Sequence, residues 1–76
     1  MNNSRRKRIN ESISKLENAQ EKLKIVLNEE QKALSSLPDD EVFDDMRNGM
    51  DDVISSLEDT LSSLEEALDT INGGDF

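Results

Sequence analysis

The chain has no cysteine, histidine, tryptophan or tyrosine. Without cysteine there is no disulfide, redox centre or thiolate metal site, and without histidine there is no imidazole base and no common zinc ligand. Most hydrolytic and metal-assisted mechanisms are thereby removed, and neither a cofactor nor a metal is expected. The two aromatic residues are phenylalanines, so a compact core built on large side chains is not expected. Long apolar runs are also missing. No segment approaches the ~20 apolar residues of a membrane span, and the opening MNNSRRKR lacks the apolar run of a signal peptide. A cytoplasmic protein is expected.

What the 76 residues do contain is a heptad repeat. In Ile54 to Ile71, the units SSLEDTL and SSLEEAL follow one another, placing Leu57, Leu61, Leu64, Leu68 and Ile71 on one stripe of a helix. Leu, Ile, Val and Phe number 9, 5, 3 and 2, few for a folded chain. Disorder, however, has no need of a periodic stripe. Upstream, Ile9, Ile13, Leu16, Leu23, Leu27, Leu34 and Leu37 fall on alternating steps of four and three once Gln20 and Glu30 are counted. Ala19, Val26 and Ala33 form a row one position earlier, which widens the apolar stripe beyond what a single neighbour covers. Polar groups within such a seam generally fix register or oligomer state.

A single proline separates the two patterns. Pro38 disfavours the α conformation at Leu37, and the connection around it is short enough to make the helices antiparallel neighbours. The expected fold is all-α: one helical hairpin over 1–76, with a helix at about 4–36, a turn at about 37–39, a helix at about 40–72 and a short C-terminal tail. Asn2, Asn3 and Ser4 all offer caps for the first helix, and Ser4 is favoured among them. Asp39, Asp40 and Glu41 put negative charge where the second helix's dipole favours it. Val42, Phe43, Met46, Met50, Val53 and Ile54 continue its apolar face. Asn48-Gly49 is a turn signal within it, and continuity of the helix is favoured over a break. Asn72, Gly73 and Gly74 stop it, leaving Asp75 and Phe76 as the tail. One hairpin buries too little apolar surface to offset its chain entropy comfortably. Leu16, Leu23, Leu27, Leu34, Leu57, Leu61, Leu64 and Leu68 are therefore read as the seam of a homo-oligomeric helical bundle.

Charge is divided unevenly. Residues 1–37 hold eight basic and five acidic side chains, a balance of +3, and residues 38–76 hold one basic and thirteen acidic, −12, which together give the net −9. The halves should attract one another, and the net charge disfavours nucleic acid as a partner. Arg5, Arg6, Lys7 and Arg8 carry the wrong sign for a helix start. They either fray or pair with the acidic end of the second helix, or they join free N–H groups in an anion site; a nucleic-acid tail is a third reading. Asp44, Asp45, Asp51 and Asp52 fail as a calcium loop, because the third and twelfth positions counted from Asp44 are Met46 and Ser55. They read as a solvated helix face.

In SRRKR at 4–8, SLP at 36–38, Arg47 with Gly49 and the terminal Leu-Glu heptads, the chain resembles a group of small, mostly uncharacterised two-helix proteins of bacteriophages and bacterial mobile elements. The likeness covers most of the chain, though after Leu-Pro that group is richer in Ser and Gln than DDEVFDDM is. What the resemblance implies is a phage or mobile-element origin and an anti-defence role, since small helical phage proteins often bind a host protein or sequester a nucleotide signal. The expected function is thus a non-enzymatic oligomeric binding protein. Arg5, Arg6 and Arg8 would hold an anionic, nucleotide-like ligand. The competing reading is an acidic interaction module, an inhibitor or nucleic-acid mimic, that binds a basic host protein through the second helix. A purely structural assembly subunit is the third.

Overall fold

The computed structural model describes residues 2–74; Met1 and the expected Asp75-Phe76 tail lie outside them. Helix α1 runs Asn3–Ser35, a 3-10 turn spans Glu41–Phe43, and helix α2 runs Asp44–Asn72. The described residues form an all-helical antiparallel hairpin without a strand, in a rod of 60 × 15 × 13 Å. None of its helices is long and apolar enough to cross a membrane.

The first helix is capped by Asn2, not by Ser4. Asn2 is extended (φ −78°, ψ 164°), and its Oδ1 accepts the Arg5 N–H at 2.8 Å. Ser4 lies already inside the helix, where its backbone cannot take the extended cap geometry. The second helix begins later than expected. Asp40 caps the 3-10 turn, its Oδ1 accepting the Val42 N–H at 3.1 Å, and regular α geometry starts at Asp44. It then runs unbroken through Asn48 and Gly49 to Asn72. Its end is a tight turn: Gly73 N–H donates to Asp69 O at 3.0 Å and Gly74 N–H to Ile71 O at 3.2 Å.

Burial follows one rule. Let Ile13 and Ile54 define position a of each helix's heptad; the a and d rows are then Ile9, Ile13, Leu16, Gln20, Leu23, Leu27, Glu30, Leu34, Leu37 and Phe43, Arg47, Met50, Ile54, Leu57, Leu61, Leu64, Leu68, Ile71. Every described residue that is not exposed belongs to these two rows; of their members Leu16, at 39%, is exposed, as is Arg6, which takes position a one heptad before Ile13. Among the described residues only Ile13, Ile54 and Leu68 are buried, each keeping 5–9% of its surface exposed. The leucines read from sequence as an oligomer seam thus line the contact between α1 and α2 of one chain, mostly half-covered. Gln20 and Glu30 sit in it as expected.

Two expectations about the second helix are corrected. Val42, Met46 and Val53, placed on its apolar face, are 76, 56 and 47% exposed. Continuing the steps of three and four back from Ile54 gives Met50, Arg47 and Phe43, so the seam row passes through a charged residue. Arg47 is half-buried there, donating from Nη2 to Pro38 O at 2.7 Å and from Nη1 to Asp44 Oδ1 at 2.9 Å. It ties the turn to α2 across nine residues of chain.

Candidate functional site

The seam rows divide the outside of the hairpin into faces. Positions e and g flank the seam on opposite sides, and in an antiparallel pair e borders e and g borders g. A shallow hollow of about 280 Å³ shows this directly, since Glu17 and Lys24 of α1 and Glu65 and Asn72 of α2, all at e, line it together. The e side is charged: Glu17, Lys24, Asp44, Asp51, Glu58 and Glu65. The g side carries Ser12, Ala19, Val26 and Ala33 of α1 and Met46, Val53, Thr60 and Ala67 of α2, none of them charged, with Arg5 one heptad before Ser12 at the open end.

At the open end of the hairpin, the basic cluster begins α1. Successive helix residues turn by about 100°, so Arg5 and Arg8 lie about 60° apart while Arg6 points about 100° and 160° away from them. The three arginines do not converge. Arg6 alone reaches a hollow of about 220 Å³, which it lines with Asn10, Ile13, Ile71, Asn72 and Gly74. A guanidinium and two carboxamides around an aliphatic floor, with no carboxylate among the described lining residues, can accept a phosphate-sized anion. The backbone contributes less than expected, because Asn2 already takes the Arg5 N–H. Nor does the cluster pair with the second helix: among the described residues the ion pairs are Lys24–Glu21 at 3.7 Å and Arg47–Asp44 at 2.9 Å, each within its own helix. The attraction expected between the halves is not expressed as contacts, since the basic residues occupy the outer faces of α1's first turns.

The acidic residues are more regular than the sequence reading made them. Asp44, Asp51, Glu58 and Glu65 form the e row of α2, and Asp45, Asp52, Asp59 and Glu66 form its f row; all eight are exposed. The rows lie about 100° apart, with the small polar Asn48, Ser55 and Ser62 between them. Carboxylates therefore recur in pairs every ~10.5 Å along the helix. Asp44 alone among the eight meets a cation in the described residues. The signal was visible in sequence as DD, DD, ED and EE at seven-residue intervals. Metal-ligand spacing does not detect such a pattern, and no three acidic groups of the described residues converge on a metal position.

Eight charges over 22 helical steps, roughly 33 Å, give about one charge per 4 Å. Duplex DNA presents one per about 1.7 Å. One hairpin falls short of that density, whereas it suits a protein surface with spaced lysines and arginines. Among the described residues both hollows are open at the surface, whereas acid–base chemistry needs a carboxylate held in a cleft. The chain matches no protein family, no curated protein and no solved structure.

Proposed function

We propose that the protein is a non-catalytic, self-associating helical bundle that acts by binding, and that its acidic face engages a cationic surface on a partner protein. The observation that carries this reading is the double row of eight exposed carboxylates on α2, repeated with the same seven-residue period as the seam. Charged residues placed on one solvent face steer association and set its salt dependence. A tagged protein should capture a basic partner from bacterial lysate at low salt and release it as salt rises. Replacing Asp51, Asp52, Glu58 and Asp59 by their amides should abolish capture without loss of helicity. Capture unchanged by that substitution would sink the reading.

A second reading is favoured by the hollow at the open end, where Arg6, Asn10 and Asn72 offer donors to an anion of nucleotide type. An anti-defence role in a phage or mobile element would fit either mode, by blocking a host protein or by sequestering a signal, and rests on the resemblance in sequence. Changing Arg5, Arg6 and Arg8 to Ala separates the two: it removes the anion mode and leaves capture by the acidic face intact. An assembly subunit would tolerate both sets of changes.

A further inference from the structure

We propose that the g face of the hairpin, without charge between Ser12 and Ala67, is the seat of a second copy of this chain, docked two-fold so that the open end of each hairpin lies over the turn of the other. The proposal rests on the self-association read above, and adds which face meets which and in what direction. Ala19, Val26 and Ala33 of α1 and Met46, Val53 and Ala67 of α2 lie along one side of the rod, exposed. Val26, Met46 and Val53 are 46, 56 and 47% exposed, and the d residue beside them, Leu16, is an apolar seam residue left open. In a chain that is 36% charged, no charge falls on this face between Ser12 and Ala67. Its two polar side chains are satisfied within their own helices: Ser12 Oγ donates to Arg8 O at 2.9 Å and Thr60 Oγ1 to Ser56 O at 2.8 Å. Nothing on the face requires water, so covering it leaves no polar side chain stranded.

A second copy fits for three reasons. The first is self-complementarity: an isologous contact sets a face against itself, and this face alone does so without opposing like charges. The second is shape. The side chains of the face are small or of moderate size, Ala19, Val26 and Ala33 on α1 and Met46, Val53 and Ala67 on α2, so none holds two rods apart. The 60 × 15 Å outline offers up to about 900 Å² per copy, and stable interfaces use roughly 800 Å² per partner. The third reason is charge. With ends opposed, Arg5, Arg6, Lys7 and Arg8 of one copy approach the partner's turn, which in each chain carries Asp39, Asp40 and Glu41. With ends aligned, the two basic clusters would lie together and repel.

Sedimentation velocity on three proteins tests the face. The wild type is expected as a dimer. Val26→Glu with Val53→Glu should be a helical monomer, the charge weakening association by at least about 100-fold. Ile25→Glu with Val42→Glu, which alters exposed apolar residues off this face, should remain dimeric. A wild-type monomer overturns the self-association reading and this proposal together. A wild-type dimer that persists in Val26→Glu/Val53→Glu overturns the choice of face alone. If that variant loses helicity, Val26→Ser/Val53→Ser replaces it, with about tenfold weakening expected. Direction is read from a spin label at Ser4→Cys, clean in a chain without cysteine: opposed ends give labels about 50 Å apart, near the 60 Å length of the rod. A separation of roughly 25 Å or less overturns the opposed arrangement, since neighbouring helix axes lie only ~10 Å apart.

Discussion

At the scale of single residues, Arg47 and Asn2 hold the ends of the hairpin. Arg47 sits in a seam row, where leucine would be the unremarkable choice, and its fork spans Pro38 O and Asp44 Oδ1. Asp44 is largely exposed, so that ion pair contributes little; the bond to the Pro38 carbonyl and the buried stem contribute more. Arg47→Ala is expected to cost about 1–2 kcal/mol, each kcal/mol lowering Tm by about 4–8 °C in a chain this small. Asp44→Asn should cost under about 0.5 kcal/mol, and Arg47→Lys should cost less than Arg47→Ala, because it keeps an aliphatic stem in the seam and a cationic N–H donor while losing the planar fork. Thermal melts followed by circular dichroism decide this, and equal losses for Asp44→Asn and Arg47→Ala would mean that the ion pair dominates. At the other end, Asn2→Ala removes the cap of α1 and should cost about 0.5–2 kcal/mol. Ser4→Ala, measured beside it, should have almost no effect.

At the scale of the helices, periodicity told nearly everything that burial depends on. The alternating steps of three and four placed Ile13, Leu27, Ile54 and Leu68 in the seam because a half-covered helix pair has one way to hide a narrow stripe. The Pro38 turn was legible because proline excludes the preceding residue from a helix. Arg47 was not legible, because a charged residue within a row reads as an interruption, and its hydrogen bond to Pro38 O exists only once the chain has turned. The exposure of Val42, Met46 and Val53 escaped for a related reason: an apolar residue near a seam is easily assigned to it, and only the phase of the heptad shows that it lies one position outside. The same phase paired the carboxylates of α2 into rows. Helix α2 also passes through Gly49 with open space around the site of a Cβ. Gly49→Ala should therefore stabilise the protein by about 0.5–1 kcal/mol, seen as a higher Tm; a loss of stability there would show that the site is not in regular helix.

At the scale of the whole molecule, the hairpin is a rod with three functions of surface: a seam that joins its helices, a dry face without charge between Ser12 and Ala67, and a face crowded with carboxylates. The net charge of −9 and the absence of ion pairs between the described parts of α1 and α2 mean that electrostatics opposes the fold more than it supports it. Screening should then help. Raising salt from ~0.02 to ~0.5 M shortens the Debye length well below the ~10 Å spacing of the acidic pairs, and Tm should rise. A fall in Tm would reveal stabilising ion pairs between the helices. The seam itself is covered only in part, and on the reading proposed above a further surface completes it.

The central claim is that this completion comes from a second chain, leaving the acidic faces outward for a partner. Native mass spectrometry of the protein purified from cells measures it in one spectrum. The account predicts a dimer at twice the chain mass of 8.6 kDa; a helical protein that remains at the mass of a single chain would contradict it.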